Sequence, residues 1–148
     1  METITQTMSD FHSRCDKLFA QAEDSVAKKQ WERVATDFAN FKTAMEQHFM
    51  TEEEVLFPTL EDRTGQTMGP TQVMRMEHQQ MRQVFAEMEN NITQQNRDEY
   101  LGLSETLLVL MQQHNGKEEQ ILYPMSDQVL SHEISSVLER IGQIKISE

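Results

Sequence analysis

The chain has 148 residues, a formal net charge of −12 and one cysteine, Cys15, so it can bury a core unaided and has no internal disulfide. Its acidity argues against nucleic acid or an anionic membrane as partner, since both need Lys and Arg to neutralise phosphate. No stretch reaches the ~20 apolar residues of a membrane span, and Met1-Glu2-Thr3-Ile4-Thr5 lacks a secretion signal's basic start and apolar core, so a single cytoplasmic domain over 1–148 is expected.

With only 5 Gly and 3 Pro, and Glu, Gln, Met, Leu and Ala abundant, helix is favoured throughout. Phe11, Cys15, Leu18, Phe19, Ala22 and Val26 recur at helical spacing and predict a first helix over about 7–28, ended by the polar turn Lys28-Lys29-Gln30. Trp31, Val34, Phe38, Phe41, Met45, Phe49 and Leu56 predict a second over 31–57, which Pro58 should bend or end. Pro70 suits the first turn of a third helix over 70–92, carrying Met74, Met81, Phe85, Met88 and Ile92. A fourth runs over 98–123 through Tyr100, Leu103, Leu107, Leu110, Met111 and Ile121 and meets Pro124. Ser131 is the expected cap of a short last helix over 132–144. The expected fold is all-α: an up-down-up-down antiparallel four-helix bundle of two hairpins plus a short C-terminal helix. Trp31 or the last helix offers a contact surface, so monomer and homodimer both stay open.

The second half of the chain repeats the first. His48-Phe-Met-Thr-Glu52-Glu53-Glu54-Val55-Leu56-Phe57-Pro58 lines up with His114-Asn-Gly-Lys-Glu118-Glu119-Gln120-Ile121-Leu122-Tyr123-Pro124, and the same offset of 66 carries His12 onto His78 and Phe19 onto Phe85. Two hairpins related by internal pseudo-symmetry follow. His12 and His48 are equidistant from the first predicted turn, His78 and His114 from the second. In antiparallel helices such residues share a level, so all four histidines can meet in one layer, roughly 27 Å from the turns.

His48 with Glu52, and His114 with Glu118, stand four apart and therefore on one helix face. Four imidazoles and two carboxylates suit Fe, Mn or Zn and supply too few oxygens for a Ca or Mg cage. The two glutamates can lie between a pair of ions that each keep two imidazoles, at the usual two-metal separation of ~3.5–4 Å. Satisfied core polar residues would be the plainer reading, but burying two unpaired carboxylates costs several kcal/mol each unless something neutralises them. Cys15, Met45, Met81 and Met111, one turn from each histidine, should roof the layer, as adaptable packing or as a ligand pocket. His132 lies outside the repeat and should be exposed.

These residues resemble the hemerythrin-like HHE cation-binding domain: a histidine early in the first helix, His-x-x-x-Glu with Leu-Phe-Pro downstream, a histidine in the third, and His-x-x-x-Glu-Glu with Leu-Tyr-Pro. The resemblance implies a four-helix bundle with two iron ions under an oxo or hydroxo bridge, meeting dioxygen, peroxide or nitric oxide. Its expected ligands are His12, His48, Glu52, His78, His114 and Glu118. The oxygen-carrying members have a second histidine four residues after the third-helix ligand, where this chain has Arg82, which cannot ligate. Four histidines and two glutamates look more like the di-iron centre of the iron–sulfur-cluster repair proteins, which carry an added cysteine-bearing domain. By position, oxygen carriers would use Glu119 in place of Glu118, making Glu119 a reserve ligand.

Arg82 and its equivalent Asp16 should pair, or else support the ligands separately, with Arg82 on an anionic oxygen species or a bridging carboxylate. The expected function is a di-iron protein that reacts with or senses small oxidants, served by a redox partner if it turns over. The alternative is reversible oxygen or iron binding without turnover. A ferritin-like site would need Glu-x-x-His pairs, and attached haem a Cys-x-x-Cys-His; neither occurs.

Overall fold

The computed structural model describes residues 2–144, and every regular element in it is helical. Helices α1 (Ile4–Ala27) and α2 (Trp31–Thr51) form the first hairpin, α4 (Pro70–Thr93) and α5 (Arg97–Lys117) the second. The two turns are the same turn. Gln30 N–H bonds Ser25 O at 3.0 Å and Asn96 N–H bonds Asn91 O at 2.8 Å. Lys29 (φ 56°) and Gln95 (φ 54°) take the left-handed position between them, where a helix end usually places glycine. The offset of 66 is thus visible in the backbone.

The prolines do not end the helices. A π-helical turn over Glu52–Leu56 joins α2 to α3 (Phe57–Thr64), and another over Glu118–Leu122 joins α5 to α6 (Tyr123–Val129). In each the bond is one residue longer: Phe57 N–H reaches Glu52 O and Tyr123 N–H reaches Glu118 O. Proline lacks a donor and its ring crowds the carbonyl one turn back. A wider turn just before it moves that carbonyl aside, and the helix runs on. Such turns are frequent at functional sites, and here each begins on an expected ligand.

Two hydrophobic clusters sit above and below the histidine layer. The upper one, on the hairpin-turn side, packs Phe19, Phe38, Phe41, Phe85, Met88, Tyr100 and Leu107 with Cys15, Met45, Met81 and Met111. The lower one joins Ile4, Met8, Leu56, Phe57, Leu60, Met74, Leu122 and Tyr123 to Leu130, Val137 and Ile141. Through Val137 and Ile141, α7 (Ile134–Gly142) closes this lower end. Its N-cap is Glu133 and not Ser131, and Glu133 is fastened to Arg63 Nε at 2.7 Å. Helix α1 begins earlier than its apolar pattern suggests because Thr3 and Gln6 form a capping box. Asp127 adds to this, accepting from Ile4 N at 2.7 Å and Thr5 N at 3.1 Å. Trp31 is half-buried against the upper cluster and His132 is exposed. Among the described residues no helix is long and apolar enough to cross a membrane.

Candidate metal centre

All six expected ligands meet in the layer between the clusters, and Glu52 and Glu118 are 0 % exposed. His48 and His114 end α2 and α5, and the π-turns swing Glu52 and Glu118 inward one turn later. His12 and His78 come from the middle of the buried stripes of α1 and α4.

The outward nitrogens decide which way the rings face. His12 Nδ1 lies 2.6 Å from Glu119, His78 Nδ1 2.7 Å from Glu53, and His114 Nδ1 2.8 Å from Glu77. A carboxylate accepts, so in each neutral ring Nδ1–H donates outward and the Nε2 lone pair points into the layer. There the lone pairs meet more acceptors. His78 Nε2 is 3.0 Å from Glu52 Oε1, and His12 Nε2 is 3.0 Å from Glu118 Oε1 and 3.1 Å from His48 Nε2. His114 Nε2 lies 3.3 Å from Glu118 Oε1 yet is not aligned as a hydrogen bond, and Glu118 Oε2 likewise has no partner among the described residues. Into this crowd Tyr123 brings one hydroxyl, 2.7 Å from Glu52 Oε2, 2.8 Å from Glu118 Oε1 and 3.1 Å from His12 Nε2. One proton cannot serve so many acceptors. Positive charge is required at the centre.

In the metal-free chain protons must supply it. Burial and the charge of Glu118 push the Glu52 carboxyl up to about 8. Burial opposes ionisation of Glu118 too, but the hydrogen bond with Glu52 and the charge of His114 hold it well below the ordinary range. His114 rises to about 9, against burial, chiefly through Glu118. Burial and the neighbouring His12 push His48 down to about 4. Glu52 and His114 therefore hold protons near neutral pH that a cation would displace, while Glu118 and His48 already present free lone pairs. Their donors form two groups, Glu52–His78–His114–Glu118 and His12–His48–Glu118, each with ligand atoms within 4.8 Å of one another and sharing Glu118. Soft-to-borderline nitrogens with carboxylate oxygens fit iron, manganese or zinc.

The supports are less symmetric than the donors. Arg82 does not pair with Asp16. It clamps Glu53 with two bonds of 2.9 and 3.0 Å, reaches Glu46 at 2.8 Å, and lies 5.0 Å from the centre of the Phe49 ring. Asp16 stands exposed near Glu119, its carboxyl raised by partial burial and by the Glu119 charge, with His12 opposing. Glu119, the reserve ligand, bonds the outer nitrogen of His12 and its side chain is 41 % exposed, so Glu118 is the inward member of the pair. The fourth imidazole has no such anchor. Among the described residues His48 Nδ1 is buried without a partner, an omission worth about 1–3 kcal/mol for a buried polar group. Where Glu77 stands before His78, Phe11 stands before His12, its ring centre 5.6 Å from that of His48. Cys15, Met45, Met81 and Met111 roof the layer, and burial pushes the Cys15 thiol up to about 12.

Reading the sequence alone missed Tyr123, Glu53 and Glu77. A signal existed for the first, since the repeat differs there by a single hydroxyl, Phe57 against Tyr123. Residues 3–126 match the hemerythrin HHE cation binding domain. No curated protein and no solved structure matches the chain.

Proposed function

The chain belongs to the hemerythrin HHE cation-binding family, a metal-binding domain, and from that premise we propose that it is a di-iron protein that reacts with or senses dioxygen, peroxide or nitric oxide. His12 and His48 would hold one ion, His78 and His114 the other, with Glu52 and Glu118 between them. The observation that carries this reading is the surplus of inward acceptors over protons in a buried layer. An iron pair supplies Lewis acidity and electrons to a small ligand. The residues of the chain do the rest. The two apolar clusters keep bulk water out, which strengthens every charge interaction in the layer. Tyr123 Oη–H is the proton held inside, ready to donate to an oxygen or nitrogen atom that gains charge. Glu53, clamped by Arg82, fixes the ring plane and tautomer of His78. Sustained turnover would draw electrons from a redox partner in the reducing cytoplasm.

The visible spectrum of anaerobically loaded protein, before and after dioxygen, nitric oxide and peroxide, tests the reading. Spectral change with each, and decay of the oxidised form within minutes, is expected. A stable oxygenated spectrum with slow autoxidation would move the assignment to reversible binding. No response to any of the three would overturn it.

A further inference from the structure

We propose that the two halves of the centre hold their ions unequally: the His12–His48 half is the exchangeable one, and Phe11 is the residue that makes it so. This rests on the two-ion reading above. The offset of 66 pairs the supports as it pairs the ligands. Glu119 on His12 answers Glu53 on His78, so Glu77 on His114 calls for a carboxylate at residue 11 to receive His48. Phenylalanine stands there, and among the described residues His48 Nδ1 has no acceptor. An imidazole whose outer N–H is given to a carboxylate is a stronger, better-oriented donor than one whose outer nitrogen is idle.

Four further contrasts point the same way. Lys117 backs Glu77 on the anchored side, where its counterpart is Thr51. Arg82 secures Glu53, which is 20 % exposed, whereas among the described residues Asp16 secures nothing and Glu119 is 41 % exposed. The His78 ring is stacked on Phe49 with centres 4.1 Å apart, a position the offset gives to Asn115 in the other half; the second ring is matched, Phe57 at 5.8 Å from His78 and Tyr123 at 5.6 Å from His12. The anchored half also offers four mutually close protein donors against three. The ion between His12 and His48 therefore loads last and leaves first, and at limiting divalent iron the protein passes through a one-ion form.

Full-length protein loaded anaerobically with ferrous iron and then challenged with a coloured ferrous chelator tests this. Wild type should release iron in two equal phases with rates roughly 10–100-fold apart. Phe11→Glu, or Phe11→Gln if the charge is not accommodated, should slow the fast phase toward the slow one. The mirror change Glu77→Phe should speed the slow phase, with circular dichroism checking that each variant is folded. His48→Ala should keep one slowly released ion, and His114→Ala one quickly released ion. A single release phase for two ions in wild type, or phases indifferent to both residue 11 and residue 77, would overturn the grading while leaving the two-ion reading intact. A wild-type chain that takes up no iron would overturn both.

Discussion

Around His78 the protein is built like a vice: two phenylalanine rings stack on the imidazole, Glu53 takes its outer N–H, and Arg82 holds Glu53 from two sides. Around His12 the offset puts Asn115 where one ring would be, Tyr123 supplies the other at 5.6 Å, and Glu119 is half-buried beside an Asp16 that repels it. The donors themselves are superposable by the repeat. The contrast teaches that a duplicated hairpin can keep its inward donors in register while the groups behind them diverge. Donors paired by a repeat do not make equal sites, because ring orientation and basicity are set by what lies behind each ring.

The comparison can be broken most forcefully at the residue both halves share. Glu118 belongs to both donor groups, so Glu118→Ala should cost both ions; elemental analysis finding one retained ion would show that the halves do not share it. Next in size is Tyr123→Phe, which removes the hydroxyl by which this ring differs from its counterpart Phe57. In the metal-free protein it strands carboxylate oxygens of Glu52 and Glu118, so stability should fall by about 1–3 kcal/mol, read by urea unfolding. The loaded protein should keep its iron yet decay differently after peroxide; unchanged stability and unchanged decay would remove Tyr123 from the account.

Smaller is Arg82→Ala, which loosens the vice without touching a donor. Iron affinity of the His78 half should fall roughly 10-fold, and the iron spectrum should shift with it. If metal content, spectrum and peroxide reactivity all stay put, Arg82 is not a positioning residue. The smallest effect is at Cys15, which stands in the roof where the other half has Met81. With its thiol pushed up to about 12 by burial, it should resist alkylation at pH 8 in the folded protein and react at once when unfolded. Rapid labelling of native protein would show that the roof opens.

The convergence of the six inward donors was legible because helical geometry and a repeat both operate on spacing. His48 to Glu52 and His114 to Glu118 are one turn apart, and the shared offset of 66 brings in His12 and His78. What spacing does not carry is what a side chain meets across the bundle. Asp127 caps α1 from more than a hundred residues away, and Glu53 and Glu77 read as solvated helix charges until α4 and α5 are packed. Arg82 could be placed four residues after His78, but its partner could not. Pro58 and Pro124 misled for a different reason: helix termination assumes an α-helical ladder, and the π-turns at Glu52 and Glu118 change the ladder just before each proline. The same wider turns deliver the carboxylates, so the local rule gave way at the candidate site.

Anomalous diffraction at the iron edge, on crystals of the reconstituted protein, addresses the central claim most directly. Two peaks flanking Glu52 and Glu118, one beside His12 and His48 and the other beside His78 and His114, with lower occupancy at the first, is the predicted result. A single peak, or none with the histidines bonded only to carboxylates, would contradict it.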